Sequence, residues 1–353
     1  MNLALLVGAG LLSFLSVVVG VPYARKYLLS SGIYGIDQQK KGKPKVATSG
    51  GVVVLFGLLF STTAFLGIGR LLGIGTNVEL VLASICSINI IALIGLIDDI
   101  HVGEEIRVET PTNRILEKID VFGSDVKISD EVDRVGLSQF TKMLFVLPAV
   151  FPLMAVGAGS WQMALPIVGV IDWGLIYPLV LLPVGLLFVA NVVNMLAGTN
   201  GLSAGLSFVA SAGMALFAYS NGELEATLIA VSLCGALAGF LLYNWYPASI
   251  LPGDSLTYLC GASLFSIMVL GNMEKFGVFI FAPWFAEFGL KARGKFDAHS
   301  WGLLKNGGLE NQHDKIYSLT HIFMEKGLNE EEITVALVVL EAFVVSLGLL
   351  LFL

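Results

Sequence analysis

Carboxylate and amide side chains interrupt this otherwise apolar chain at three points. Asp98 and Asp99 end the run LIGLIDDI, the stretch NVVNMLAGTNG contains Asn191, Asn194 and Asn200, and PGDSLTY contains Asp254. Carboxylate and amide oxygens are hard ligands that suit Mg²⁺, which binds one or two carboxylates together with substrate phosphates and retained waters. Lys and Arg side chains nearby, and the backbone N–H groups of glycine-rich loops, would hold the phosphates. These residue types predict metal-assisted chemistry at a phosphate.

Each feature also has an ordinary structural explanation. Asp254 after Gly253 would make a good helix N-cap, and the Asp98–Asp99 pair could simply be solvated among lipid headgroups. A loop of glycine and asparagine commonly just joins two helices, and a histidine in a polar loop, such as His299, is commonly only solvent-exposed. We give more weight to the conjunction, because the three acids and three amides all lie at the ends of apolar segments.

The composition places these residues in a membrane protein. Of the 353 residues, 56% are hydrophobic and 13% are charged, whereas a soluble domain carries about 25% charged residues. The segment 1–24 is apolar and lacks the basic start and small-residue cleavage site of a leader, so we interpret it as the first span. The three cysteines lie in apolar segments without Cys-x-x-Cys spacing, which indicates neither a disulfide framework nor a zinc site.

The elements that must position the polar residues are membrane-spanning helices. A span needs about 20 apolar residues, and the sequence predicts an all-α polytopic fold, in a single domain over 1–353, with about ten spans: 2–22, 50–69, 77–97, 140–157, 174–192, 201–219, 225–243, 254–271, 275–291 and 333–353. The ninth span is short and contains Pro283 and Glu287. The stretch MALPIVGVIDWG is too short to cross and predicts a surface hairpin.

The basic residues predict the orientation of these spans. Nearly all of the 20 Lys and Arg residues follow spans one, three and nine, leaving only Arg70 and Lys275 on the other side. By the positive-inside rule those loops are cytoplasmic and both termini lie outside. The loops with AGTNG and PGD then also face the cytoplasm. A charged insertion at 103–136 and a loop at 292–332 are predicted to face the cytoplasm as well. We interpret the insertion as a solvated hairpin.

A transporter or ion channel is the competing class of protein. Such proteins place acids and amides near mid-membrane, on broken helices. Here the acids and amides lie at predicted cytoplasmic helix ends, and no internal repeat is visible. A lipid phosphate stays at headgroup depth because its charge cannot enter hydrocarbon. The predicted position therefore favours a reaction on a lipid phosphate over transport.

The motifs GLIDD, NVVNMLAGTNG and GDSLTY, in this order, resemble the signatures of the polyprenyl-phosphate N-acetylhexosamine-1-phosphate transferase family over nearly the whole chain. AGTNG, SLTH and HSWG are similar to the archaeal and eukaryotic dolichyl-phosphate GlcNAc-1-phosphate transferase branch, since bacterial members typically have Asp-Gly-x-Asp-Gly. The resemblance implies transfer of GlcNAc-1-phosphate from UDP-GlcNAc to a polyprenyl (dolichyl) phosphate. UMP is released, and the lipid-diphosphate sugar begins glycan assembly of the N-glycan type. Another UDP-N-acetylhexosamine is the alternative donor.

The resemblance also implies roles for individual residues. Asn194 and Asp254 are expected to hold Mg²⁺, with Mn²⁺ as a substitute. The Asn200 side chain and the Gly198 backbone are expected to contact uridine, and Lys142 in SQFTKMLFVLP matches the family's active-site lysine. Thr48 stands where bacterial members have Thr and the eukaryotic enzyme has Glu. Substrate contacts are also expected from Thr48, and from Lys295 and His299, where the eukaryotic enzyme has an Arg-His-Arg cluster. Asn191 shares a helix face with Asn194, and we expect it either to contact the substrate or to orient Asn194.

Two roles are open for Asp98 and Asp99. A phosphate monoester has its second pKa near ~6, so at neutral pH it is mostly ionised and gains little from a base. We therefore expect the pair to position Lys142 and the metal's waters, with general-base catalysis as the second interpretation.

The same resemblance predicts the surroundings of the protein. It implies an integral protein of the cell membrane with its active site facing the cytoplasm, or of the endoplasmic reticulum in a eukaryote. The expected partners are the UDP-sugar, the lipid phosphate and membrane lipid, without nucleic acid. Family members include dimers, which favours a homodimer.

Overall fold

The structure is a computed structural model and describes residues 2–100, 146–165, 169–305 and 307–353. The first part holds three long helices, α1 (Leu3–Ser30), α2 (Gly51–Leu71) and α3 (Val78–Asp99), with a hairpin of strands β1 (Tyr34–Ile36) and β2 (Lys45–Ala47) between α1 and α2. A 3₁₀ turn (Leu147–Val150) and the short helix α4 (Phe151–Ala155) follow.

The second part is also mainly helical. Strands β3 (Gln162–Leu165) and β4 (Gly169–Asp172) lead to a π-helical turn (Tyr177–Leu181), and the helices α5 (Leu182–Met195), α6 (Leu202–Ser220), α7 (Leu224–Asn244) and α8 (Gly253–Leu270) follow. The chain ends with α9 (Glu274–Ile280), α10 (Ala282–Arg293), β5 (Leu303–Lys305), β6 (Gly308–Glu310), α11 (Leu319–Met324) and α12 (Glu330–Phe352).

Eight helices among the described residues are long and apolar enough to cross a membrane. They are α1, α2, α3, α5 with its π-helical turn, α6, α7, α8 and α12. Each corresponds to one predicted span, so the prediction of a helical polytopic membrane protein is confirmed. The antiparallel pairing of β3 with β4, from Gln162 opposite Asp172 to Leu165 opposite Gly169, also confirms the predicted hairpin.

Within the described residues, one of the ten predicted spans is interrupted. In place of a span at 275–291 the structure has α9 and α10, which meet at Phe281. Pro283 lies at the start of α10, where its missing N–H costs no intrahelical hydrogen bond, whereas inside one long helix it would break the ladder. The predicted span 140–157 lies partly outside the described residues, and its described end is the 3₁₀ turn and α4.

Helix α8 lies at the centre of the bundle. It packs against α2, α3, α5, α6 and α7, and every residue from Ser255 to Leu270 is buried. An apolar or small residue on every face is typical of a helix surrounded by others. The N-terminus of α8, which begins with Gly253 and Asp254, therefore has its position set by several neighbouring spans.

The first hairpin is tied to the loop that precedes α8. The Leu251 N–H donates to the Ala47 carbonyl at 2.7 Å, and Ala47 forms a parallel bridge with Ile250. Strand β2 thus brings Thr48, which follows it directly, to the same end of the bundle as Asp254.

Candidate active site

A cavity of about 410 Å³ opens at this end of the bundle. Its lining comes from the hairpin of β1 and β2, the end of α5, the loop after α5, the start of α6, the loop before α8, the start of α8 and the loop before β5. The structure brings five of the predicted site residues together in its wall: Thr48, Asn194, Gly198, Asn200 and Asp254. Residues separated by more than 200 positions in the chain therefore share one chamber.

Asp99 holds the start of α8 in place. One carboxylate oxygen accepts the Asp254 N–H at 2.7 Å, and the other accepts the Ser255 N–H at 3.1 Å. The first N–H groups of a helix have no partner inside the helix, and a negative charge there is favoured by the helix dipole. Asp99 thus caps α8 from another span, and its carboxylate is buried behind the backbone of Asp254. Asp98, its neighbour in the last turn of α3, is half-buried and is not part of the cavity lining.

Asn194 is oriented by a residue one turn into α8. Its Oδ1 accepts a hydrogen bond from the Thr257 hydroxyl at 2.9 Å, and the same hydroxyl lies 3.2 Å from the Asp254 carbonyl. Thr257 therefore links the end of α5 to the first turn of α8. Asn191, one turn earlier, donates to the Leu187 carbonyl at 2.8 Å and accepts from Tyr258 at 3.3 Å. It braces the α5–α8 contact and is not part of the cavity lining.

The Asp254 carboxylate and the Asn194 amide oxygen suit a divalent cation. No group of three or more His, Cys, Asp or Glu side chains suited to holding a metal occurs among the described residues. One carboxylate and one amide oxygen on the same cavity wall agree with a Mg²⁺ ion whose remaining positions are filled by phosphate oxygens and water. Thr257 fixes the amide by donating to its oxygen, which sets the side-chain orientation that coordination requires. The donor set thus fits a hard, oxygen-preferring cation.

The loop after α5, residues 196–201, is held in place by contacts with other loops. The Gly198 carbonyl accepts a hydrogen bond from the Gln39 amide at 2.6 Å, and the Gln39 oxygen in turn accepts the Gly302 N–H at 3.3 Å. A Cβ on Gly198 would lie 2.5 Å from the Ser300 carbonyl oxygen, closer than real Cβ contacts. Glycine is therefore required at 198, because the loop at 292–332, which we call the last polar loop, crosses directly over it.

The Asn200 side chain is fully engaged within the protein. Its amide nitrogen donates to Asp37 at 3.3 Å, and its oxygen accepts from the Lys40 ammonium at 3.1 Å and from the Ala248 N–H at 2.9 Å. The residue is buried, with 5% of its surface exposed. Its contribution to the cavity is to fix the loop backbone, and the predicted uridine contact by its side chain would require these hydrogen bonds to exchange.

Sequence reasoning missed the charged residues around Asn200. Asp37 and Lys40 come from the first polar loop, in the stretch GIDQQK, and Glu330 begins α12 in the run NEEE. Lys40 forms ion pairs with both Asp37 and Glu330, and both carboxylates are buried. The sequence offered one signal, namely that these residues lie in the same predicted polar layer as AGTNG. A run of acids at the start of a helix is, however, also what helix capping predicts.

The last polar loop contributes Trp301 to the cavity lining, whereas Lys295 and His299 are exposed and are not part of that lining. Glu287 of α10 holds the end of this loop. Its carboxylate accepts the Leu319 N–H at 2.7 Å and the Ser318 hydroxyl at 3.1 Å. Sugar contacts by Lys295 and His299 stay predictions.

His321 is a neutral residue that connects two parts of the same loop by hydrogen bonds. Its Nδ1 accepts the Tyr317 N–H at 3.2 Å, so the proton lies on Nε2, which donates to the His299 carbonyl at 2.8 Å. The ring is fully buried, and burial lowers the pKa of His321 to about 4. A neutral histidine with both nitrogens engaged is a structural element. Lys142 and the insertion 103–136 lie outside the described residues.

A helical membrane protein whose span ends join a carboxylate, amides and a glycine loop in one chamber has the residue types that suit a phosphorylated ligand and a cation. The chain belongs to glycosyl transferase family 4, whose model matches residues 81–272, just over half of the sequence. Members of this family generally depend on a divalent metal.

Named relatives agree with the family predicted from GLIDD, NVVNMLAGTNG and GDSLTY. A candidate UDP-N-acetylglucosamine–dolichyl-phosphate N-acetylglucosaminephosphotransferase of Saccharolobus solfataricus is 28% identical over 344 residues, covering 96% of this chain and 93% of the relative. One of the same description from Sulfolobus acidocaldarius is 29% identical over 302 residues, covering 85% and 81%. The phospho-N-acetylmuramoyl-pentapeptide-transferase of Shouchella clausii is 28% identical over 276 residues, covering 75% and 74%. The predicted resemblance to the transferase family is confirmed.

Proposed function

We propose that this protein transfers N-acetylglucosamine-1-phosphate from UDP-GlcNAc to a polyprenyl phosphate of the dolichyl type. A phosphate oxygen of the lipid forms a bond to the β-phosphorus of the donor. The bond from that phosphorus to the oxygen bridging the two phosphates breaks, and UMP leaves with that oxygen. The observation that carries the proposal is the single cavity that unites Asn194, Gly198 and Asp254 in a chain that resembles the named archaeal transferases over most of its length.

The residues in and next to the cavity have separate positioning roles. Asp254 and Asn194 would hold Mg²⁺, which supplies charge neutralisation for the diphosphate. Asp99 sets the direction of the Asp254 side chain because it fixes the backbone N–H of that residue and of the next. Thr257 sets the Asn194 amide. Phosphoryl transfer depends mainly on such positioning and on electrostatic stabilisation.

The geometry favours positioning over general-base catalysis for Asp99. Both of its oxygens accept backbone N–H groups of α8, so it contacts the metal-binding residue rather than the space in the cavity. The expectation from sequence, that the acid pair positions Lys142 and the metal's waters, stays a prediction. The role of Asp98 stays a prediction.

The donor's uridine would lie along residues 197–200, where the loop backbone lines the cavity beside Thr48 and Leu251. The lipid tail would lie along the spans, with its phosphate at headgroup depth. The resemblance to the archaeal transferases supports a location in the cell membrane, and the basic loops support an orientation in which this cavity faces the cytoplasm. The homodimer expected from the resemblance stays a prediction.

The deciding experiment is an assay of UMP release by the purified protein with Mg²⁺ and dolichyl phosphate. We expect release with UDP-GlcNAc, and much less with UDP-GalNAc or UDP-MurNAc-pentapeptide. Asp254→Asn should abolish most of the release, whereas Asp314→Asn, the same change at an exposed site in the last polar loop, should not. UMP release that does not depend on the lipid phosphate, or no release with any of the three donors, would contradict the proposal.

A further inference from the structure

A buried charge cluster lies beside the 196–201 loop, formed by Asp37, Lys40 and Glu330, to which the proposed mechanism assigns no role. Asp37 also lines the cavity, whereas Lys40 and Glu330 do not. Glu330 and Asp37 are only 3% and 5% exposed, and the Lys40 ammonium lies between them. The same ammonium sits 4.2 Å from the centre of the Tyr246 ring. Two buried carboxylates around one lysine carry a large desolvation cost, which proteins normally accept only where the groups are well hydrogen-bonded. The desolvation cost of this cluster is therefore expected to be offset by the contacts that it makes with the neighbouring loop.

The first two turns of α12 hold the backbone of the loop at Asn200. The carboxylate of Glu330 accepts the Asn200 N–H at 2.8 Å with Oε1 and binds Lys40 with Oε2. Thr334, one turn later, donates its hydroxyl to the Asn200 carbonyl at 3.0 Å and contacts the Thr199 hydroxyl at 2.7 Å. Both backbone groups of Asn200 are thus bound by one face of α12.

Helix capping does not account for Glu330. The N-terminus of α12 has a complete capping box made by Asn329 and Glu332, each accepting the other's backbone N–H. Glu331 lies on the outer rim, where it accepts from the Trp245 indole at 3.2 Å. Of three consecutive acids, only Glu330 turns inward, and its partners belong to the first polar loop and to the loop after α5.

We propose that Glu330 is a positioning residue for the sugar-nucleotide site, which holds the 196–201 loop in the conformation that lines the cavity. The inference rests on the proposed function and assigns to α12 a part in donor binding. Glu330, Asp37 and Lys40 all lie outside residues 81–272, the segment that matches the family model. The loop that carries Gly198 and Asn200 is therefore fixed by parts of the chain beyond that segment.

The expected effect follows from pre-organisation. A loop that is ordered before binding costs the ligand no ordering free energy, and the apparent affinity falls in proportion to the fraction of binding-competent loop. In Glu330→Gln, one of the two carboxylate oxygens is replaced by an NH₂ group. This group must face either the Lys40 ammonium or the Asn200 N–H, and because both are donors, one hydrogen bond is lost. The loss of one buried hydrogen bond to a charged group corresponds to roughly a tenfold or larger change in an equilibrium constant.

The test compares Glu330→Gln with its matched neighbour Glu331→Gln in the full-length protein. We expect the KM for UDP-GlcNAc to rise about tenfold or more in Glu330→Gln, with kcat within about threefold of the wild type. Glu331→Gln should leave both constants near wild type. Hydrogen exchange over residues 196–201 should be faster in Glu330→Gln than in the wild type, and unchanged in Glu331→Gln. Equal KM values in the two variants, or a loss confined to kcat, would overturn the inference.

Thr334→Val provides a second variant should Glu330→Gln fold poorly. It keeps the side-chain volume and removes the hydroxyl bound to the Asn200 carbonyl, so KM should rise severalfold and exchange over 196–201 should increase. An unchanged KM in Thr334→Val would count against the inference as well. If the wild-type protein turns over no sugar nucleotide, the proposed function fails, and the exchange comparison alone decides whether Glu330 fixes the loop: equal exchange in all variants rejects it.

Discussion

Replacing Asp99 by Asn removes a charge from the N-terminus of α8 while keeping the size of the side chain. In the wild-type protein the two carboxylate oxygens accept the N–H groups of Asp254 and Ser255 at 2.7 and 3.1 Å. Asparagine has one oxygen and one NH₂ group, so one of these two N–H groups must face another donor. The variant therefore loses one hydrogen bond outright and weakens the other, since the acceptor is no longer ionised.

The size of the effect can be worked out from these two contacts. A hydrogen bond to a charged group contributes about 1.5–3 kcal/mol, and a negative charge at a helix N-terminus adds about 0.3–2 kcal/mol. We expect the free energy of unfolding to fall by about 2–4 kcal/mol in Asp99→Asn. Unfolding of the purified protein in a graded series of denaturing detergent measures this change.

The same substitution should disturb the metal site. The Asp254 backbone would lose its anchor, and a misplacement of about 1 Å in a site of this kind can cost about 10²-fold in rate. We expect kcat to fall about 10²-fold, and the Mg²⁺ concentration for half-maximal UMP release to rise. Both effects should persist across the pH range, because they arise from geometry and not from a missing proton acceptor.

Glu79→Gln provides the matched control, since Glu79 is an acid in the first turn of the same helix, at its opposite end. It should leave Mg²⁺ dependence unchanged. The positioning argument is refuted if Asp99→Asn keeps wild-type stability and Mg²⁺ dependence, loses activity at low pH and recovers it at high pH. That pattern would assign Asp99 the role of general base.

Three further predictions concern Asp254, His321 and Glu341. Asp254→Asn should raise the Mg²⁺ concentration for half-maximal activity about tenfold or more, whereas Asp314→Asn should not; a Mg²⁺ titration of UMP release measures this. Because burial lowers the pKa of His321 to about 4, against about 6.5 in the unfolded chain, the folded state binds fewer protons between these values. The unfolding free energy should therefore fall as pH drops from 6.5 to 4, by about 3 kcal/mol at the lower end, and unfolding scans of His321→Gln should show a flatter pH dependence. Glu341 is fully buried in α12 and neither carboxylate oxygen has a hydrogen-bond partner among the described residues, so Glu341→Leu should raise stability by about 1–3 kcal/mol, and an unchanged or lower unfolding midpoint would contradict this.

The sequence predicts the spans well because hydropathy reports directly on what crosses a bilayer. Eight predicted spans correspond to long helices, and the polar residues at the ends of α3, α5 and α8 meet in one region. Helix ends on the same side of a membrane share one layer a few residues deep, so span counting already restricts where these side chains can be. The broken helix at Phe281 was not predicted, because a proline near the middle of a short apolar run is compatible with either a kink or a break.

Partnerships within the polar layer could not be predicted in the same way. Asn200 pairs with residues up to 163 positions away, and nothing in AGTNG distinguishes an amide that faces a ligand from one that holds a lysine. Likewise, NEEE does not reveal that only Glu330 turns inward, because three successive residues at a helix start point in three directions. Such assignments depend on side-chain direction, which one-dimensional patterns do not determine.

The position of Asp254 depends finally on how closely two spans approach. A Cβ on Gly95 of α3 would lie 2.5 Å from the Asp254 carbonyl oxygen, so α3 can reach the first turn of α8 only because residue 95 has no side chain. Small residues allow membrane helices to pack backbone against backbone, and here that approach brings Asp99, one turn later on α3, within hydrogen-bonding distance of the α8 N-terminus. The pair of motifs GLIDD and PGDS is thus one structural unit: the glycine sets the distance, the second aspartate fixes the backbone, and Asp254 lines the cavity.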